Sequence, residues 1–211
     1  MIAIVAFASQ KGGVGKSTLA RALACEVAQD ELRVKLADLD TMQHTTADWH
    51  TARLQAGLEP VGDVQVFATV QQALKNAESY DLIIIDAPAR APAGTLEIAR
   101  LATILVQPTN TCEDDRRPAV REFHGLVKHG VPKERLVFAI NHVLSEATEK
   151  ATRAYFAEAG YDSLTGSIPE KPAYRQAHDT GRAITEAPYP TLKARADVLI
   201  QSLIDRVANY G

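Results

Sequence analysis

The 211-residue chain lacks most of what metal, membrane and bulk nucleic-acid chemistry would require. Its two cysteines, Cys25 and Cys112, form no metal-ligand spacing and fit free thiols in a reducing compartment. The six histidines, His44, His50, His124, His129, His142 and His178, show no ligand spacing either. No apolar run approaches the ~18 residues of a membrane span. The apolar beginning has neither a basic leader nor a cleavage site, so it is expected to be a core strand of a cytoplasmic protein. Basic residues number 23 against 26 acidic ones, a net charge of −3 that excludes a bulk nucleic-acid binder. There is no internal repeat, low-complexity tract or long linker. With 46% hydrophobic residues, one sizeable core is expected, a single domain over residues 1–211.

What is present is an alternation of short apolar runs and amphipathic stretches. Strands are expected at 2–8, 33–39, 64–68, 82–85, 103–107, 136–141 and 165–168. Helices are expected at 17–29, 45–56, 69–79, 94–101, 115–129, 146–159, 171–180 and 191–209. Such alternation implies an α/β fold, a mostly parallel sheet with right-handed crossovers and helices on both faces. The most specific segment is residues 9–18, Ser-Gln-Lys-Gly-Gly-Val-Gly-Lys-Ser-Thr, between the first strand and the first helix. Gly12, Gly13, Val14 and Gly15 permit close backbone approach, so that N–H groups surround phosphates. Lys16 reaches the β- and γ-phosphates, the Ser17 hydroxyl is a ligand for Mg²⁺, and Thr18 begins a helix whose positive end faces the anion. This is a P-loop NTPase pattern, and it implies a nucleotide such as ATP. Lys11 is one lysine more than the loop needs.

Three carboxylates fall at expected strand ends: Asp38, Asp40 and Asp86. Phosphoryl transfer needs Mg²⁺ near the phosphate oxygens and an attacking water held in line. Asp86, after Leu82-Ile83-Ile84-Ile85, is the choice for Mg²⁺ through water. Asp38 either supports the metal's water shell or caps the segment that follows.

The loop Lys11-Gly12-Gly13-Val14-Gly15-Lys16-Ser17-Thr18 resembles the deviant Walker A motif of the ParA/MinD family of P-loop ATPases. Residues 33–40, ending Asp38-Leu39-Asp40, and 80–88, Tyr-Asp-Leu-Ile-Ile-Ile-Asp-Ala-Pro, are similar to its second strand and its Walker B strand. Trp49 also stands near a tryptophan position of small partition ATPases. The chain departs from the family at Asp40-Thr41-Met42-Gln43, where Pro-Gln is common directly after the aspartate, and at Ala87-Pro88-Ala89, where Pro-Pro is common.

The resemblance implies an ATP-hydrolysing positioning or partition protein. In this reading Lys11 crosses an ATP-dependent homodimer to the partner's phosphates, and Asp40 positions or deprotonates the water. Asn141 and Pro169 stand where family members contact adenine, the other reading of Asn141 being a strand-end residue that satisfies a turn. Asp114 resembles an aspartate of the family's post-strand loop, while its neighbours Glu113 and Asp115 leave a solvated acidic run open. The implied partners are a ParB-like or cargo-adaptor protein and non-specific DNA, bound through Arg175, Arg182, Lys193 and Arg195, so the ATP-bound form would associate with the nucleoid. Solvated helix surface is the other reading of those cations.

A MinD-like membrane-associated ATPase is the alternative function. The final stripe Leu192, Ala196, Leu199, Leu203 and Val207 is weakly basic and favours core docking. A metabolic P-loop ligase would need an acceptor pocket. A nitrogenase-reductase-like carrier is opposed by the cysteine pattern.

Overall fold

Residues 2–30, 32–89 and 91–210 are described by the structure, a computed structural model. The strands are β1 (Ala3–Phe7), β2 (Val34–Asp38), β3 (Asp63–Val66), β4 (Leu82–Asp86), β5 (Ile104–Thr109), β6 (Leu136–Ile140) and β7 (Asp162–Ser163). Among the described residues they form one sheet in the order β3-β2-β4-β1-β5-β6-β7. Every strand pairing is parallel. The helices are α1 (Lys16–Val27), α2 (Thr45–Gln55), α3 (Val70–Ala73), α4 (Pro92–Leu101), α5 (Glu113–Lys128), α6 (Glu146–Glu158), α7 (Pro172–Asp179) and α8 (Pro190–Tyr210).

Both faces of the sheet are covered, which is why its central strands read as unbroken apolar runs. Successive residues point to opposite faces. Val5, Phe7, Leu36, Ile84 and Val106 pack with Leu19 and Leu23 of α1 and Leu199 and Leu203 of α8. Ala6, Ile83, Ile85, Leu105 and Phe138 pack with Ile98 of α4, Phe123 of α5 and Phe156 of α6. Phe138 stacks between Phe123 and Phe156 at ring separations of 4.2 and 3.9 Å. This is the expected P-loop NTPase architecture. The apolar stripe of α8 lies against the core: Ala196, Leu199, Ile200 and Leu203 are buried.

Two elements differ from the sequence expectation. The helix expected over 69–79 is a single α-helical turn, α3, followed by turns and a 3₁₀ segment at Ala77–Ser79. Buried Lys35 of β2 donates from Nζ to the carbonyls of Ala73 and Lys75, each at 3.0 Å. Those carbonyls are thereby satisfied without another helical turn, and Asn76 takes a left-handed conformation at φ 57°. The strand expected at 165–168 lies instead at Asp162–Ser163. Gly166 has φ +81°, and a Cβ on it would meet Val198 of α8 at 2.9 Å. The chain turns there against α8 and returns to the sheet as a single bridge between Val143 and Pro169.

Candidate functional site

Strand register gathers the chemistry at one edge. Asp38 of β2 stands opposite Asp86 of β4, and Asp86 stands opposite Phe7 of β1. The glycine loop leaves β1 at the same end, so the loop and both carboxylates flank the crevice where open α/β sheets bind ligands.

In the loop, Gly13 and Gly15 have φ +74° and +102°, whereas Gly12 stays outside the left-handed region. Gly15 is the steric requirement, because a Cβ there would lie 1.9 Å from Asn141 Nδ2. A Cβ on Gly12 or Gly13 would meet nothing within 4 Å, so the outer side of the loop is open. Lys16 opens α1 and is only 8% exposed. Its Nζ donates to the Lys11 carbonyl at 3.3 Å. Burial lowers its pKa, while Asp86, Asp40 and Glu122 attract the ammonium and oppose that shift.

Asp86 is buried and divides its two oxygens. Oδ2 accepts from Thr46 Oγ1 at 2.6 Å, and Oδ1 has no hydrogen-bond partner. Burial pushes this carboxyl up to about 6, against the opposing pull of the nearby Thr46 and Ser17 hydroxyls, and Asp38 raises it further. Ser17 Oγ lies 3.5 Å from Thr45 Oγ1. The donors gathered here are hard oxygens: one carboxylate with a free buried oxygen and two hydroxyls. No group of three or more His, Cys, Asp or Glu side chains clusters among the described residues. Such a sparse set suits Mg²⁺, which keeps waters and takes its remaining ligands from phosphates.

Asp38 is fully occupied by backbone. It accepts from Asp40 N at 2.9 Å, Thr46 N at 2.9 Å and Ala47 N at 3.3 Å. These bonds are those of a cap: they hold the first turn of α2 and the bend before Asp40. Asp40 closes the next turn, with Oδ1 accepting from the amides of Met42 at 3.2 Å and Gln43 at 3.1 Å. The loop that lacks Pro-Gln is thus shaped by the aspartate itself.

A buried relay continues from Asp86. Arg21 Nε donates to Thr46 Oγ1 at 3.2 Å, and Arg21 NH1 lies 3.1 Å from His178 Nδ1. His178, Asn141, Pro169, Tyr174, Asp179 and Thr18 line a cavity of about 290 Å³ beside α1. Asn141 is already used at both ends of its amide, donating to Val14 O at 2.8 Å and accepting from His142 N at 2.9 Å. It buckles the loop to β6, and the amide keeps one N–H and one oxygen lone pair beyond these two bonds. Pro169 lines the same cavity.

Lys11 is half exposed and pairs with Asp115, whose side chain is almost fully buried at the start of α5. Asp114, the residue suggested by sequence, is exposed instead. On the same side, Glu122 Oε2 accepts from Gln107 Nε2 at 2.7 Å and Gln10 N at 3.4 Å. Among the expected DNA contacts, Arg175 pairs with Glu170 at 3.2 Å and Lys193 with Asp197 at 2.9 Å. Arg195 and Arg175 both lie near Glu170 and Lys171, whereas Arg182 is half-buried beside Trp49, whose Nε1 donates to its carbonyl. Sequence reasoning missed Thr46, Arg21, His178, Asp115 and Glu122. Only Asp115 carried a signal, as a neighbour of Asp114 in the first turn of a helix.

A family model described as the CobQ/CobB/MinD/ParA nucleotide binding domain matches residues 5–184. The chromosome-partitioning ATPase Soj of Thermus thermophilus is 27% identical over 223 residues, covering 86% of this chain and 87% of Soj. Among solved structures, apo McdA of Cyanthece superposes with a TM-score of 0.73 at 20% identity, covering 96% of this chain and 100% of that one. The MinD cell division protein of Aquifex aeolicus gives 0.73 at 18% identity, over 96% and 97% of the two chains.

Proposed function

The chain belongs to the CobQ/CobB/MinD/ParA nucleotide-binding family, and from that premise we propose that it is an ATP-hydrolysing positioning switch of the ParA type. The observation that carries the reading is Lys11, a cation surplus to the phosphate loop, placed at the loop's mouth and paired with its own chain's Asp115. A lysine needed only for the bound phosphates would duplicate buried Lys16. In the proposed cycle ATP closes a homodimer, Lys11 leaves Asp115, and each Lys11 reaches the phosphates held by the other copy.

Within one site, Lys16 and the loop amides hold the β- and γ-phosphates. The Ser17 hydroxyl and the free Asp86 oxygen would hold Mg²⁺, with Thr46 fixing the orientation of that carboxylate. The chemistry the ion would supply there is neutralisation of the charge that develops on the phosphate oxygens. Asp38 keeps the bend before Asp40 in shape, and Asp40 orients the attacking water or takes its proton. Pro169 borders the adenine. The dimer would then present two copies of the surface around Arg175, Arg182, Lys193 and Arg195 to DNA, without sequence preference, at the nucleoid. A ParB-like or cargo-bound partner would stimulate hydrolysis and release it. The apolar face of α8 is committed to the core, which favours this reading over a membrane-associated one.

Light scattering tests the switch. The chain should be monomeric with ADP and dimeric with ATP when hydrolysis is blocked by Asp40→Ala. Lys11→Ala, added to that background, should lose the dimer while retaining ATP affinity. A mass independent of nucleotide would overturn the reading.

A further inference from the structure

His178, one residue from the end of α7, takes no part in the phosphate chemistry. Its ring state follows from its neighbour. A guanidinium donates and never accepts, and Arg21 NH1 lies 3.1 Å from His178 Nδ1. Nδ1 is therefore the acceptor, and the ring proton sits on Nε2. Burial, and then Arg21, push the imidazole down to about 4, so this neutral tautomer persists at neutral pH. The resulting Nε2–H donor is buried and has no partner among the described residues. Buried donors are almost always satisfied, so one left bare beside a cavity marks a missing acceptor.

The position of that donor narrows the acceptor. Thr18 and Arg21 lie three residues apart on α1, about one helical turn. Thr18 lies at the phosphate end of the cavity that His178 lines, and Arg21 holds the imidazole one turn further along α1. In a nucleotide, the sugar is the group that follows the α-phosphate. Asp179, the next residue, lines the same cavity and adds an exposed carboxylate. A donor and an acceptor lining one cavity match a vicinal diol, each of whose hydroxyls both donates and accepts. We propose that His178 Nε2–H and the Asp179 carboxylate read the ribose hydroxyls of the bound nucleotide, so that the site selects ribonucleotides over deoxyribonucleotides. This rests on the nucleotide reading above and adds a discriminating contact to it.

The test is calorimetric titration of the full chain, with Mg²⁺, by ATP, 2′-deoxyATP and 3′-deoxyATP. At least one deoxynucleotide should bind the wild type about 10-fold more weakly than ATP, the scale of one lost hydrogen bond to a buried donor. In His178→Phe, ATP should fall to the level of that deoxynucleotide and the discrimination should vanish. Equal binding of all three nucleotides by the wild type would overturn the ribose contact and leave the nucleotide site standing. No binding of any of them would overturn the nucleotide reading, and this proposal with it. The wild-type comparison decides the matter even if the His178 variant fails to fold.

Discussion

A methyl group on Gly15 would fall within the Asn141 amide, and a single aspartate, Asp40, both shapes its own loop and attracts the Lys16 ammonium. These facts make residue-scale tests separable. Gly15→Ala should abolish ATP binding, because φ +102° and the Asn141 contact together displace the loop. Asp40→Ala should bind ATP and lose turnover by about 10²-fold or more, the usual contribution of a positioned base. Asp40→Asn is the sharper variant, since an amide oxygen still accepts from the Met42 and Gln43 amides and preserves the turn. Full ATPase activity in Asp40→Asn would remove Asp40 from the chemistry. The phosphate loop was legible in sequence because each residue there answers a local demand within eight positions. The roles of Asn141, Asp115 and His178 were not, because each depends on a partner more than 100 residues away in sequence.

The placement of α2 rests on long-range anchors at both ends. Asp38 caps its start, and at its end Arg53 pairs with Glu186 through NH1 at 2.7 Å and NH2 at 3.0 Å. Because α2 carries Thr45 and Thr46, this clamp also sets the geometry around Asp86. Burial works against ionising Glu186, but the Arg53 hydrogen bonds and the Ala183 amide outweigh it and hold its pKa below the ordinary glutamate value. The sign follows from linkage. With the folded pKa below the unfolded one, the stabilisation is present above about pH 4.5 and fades as pH falls through the folded value. Arg53→Ala should therefore destabilise the protein by about 3 kcal/mol near neutral pH, and the gap from wild type should narrow below pH 4. Urea unfolding at pH 7 and pH 3.5 checks this, and a gap unchanged between the two pH values would refute the assigned coupling. Most elements were visible in sequence because apolar runs and helical stripes report two-sided and one-sided burial. The two misread elements were decided by tertiary partners that no local pattern records: Lys35 ending α3 and α8 crowding Gly166.

For the whole molecule, the negative total of −3 and the paired cations near the carboxyl-terminal helices weigh against strong DNA binding by a single copy. They do not oppose binding by two copies. Exposed ion pairs such as Arg175–Glu170 and Lys193–Asp197 are each worth under about 1 kcal/mol, so a phosphate displaces the carboxylate at small cost. Dimerisation would double the cations offered to one duplex without adding any base-reading element. Binding should then require ATP, ignore sequence, and weaken steeply with salt, with log K falling by roughly 0.9 per tenfold change in salt for each phosphate neutralised. Replacing Arg175, Arg182 and Arg195 with glutamate should abolish binding and leave ATP-dependent dimerisation intact. These positions are not equivalent. Arg182 is half-buried against α2, so the double variant of exposed Arg175 and Arg195 should already remove most of the affinity. A gel-shift series on the ATP-locked dimer from about 25 to about 200 mM salt, roughly one decade of concentration and a threefold change in screening length, measures both slope and loss. If random duplex is not retained even at the lowest salt while anionic liposomes capture the ATP form, the cations around Glu170 serve a membrane surface, and DNA drops out of the cycle.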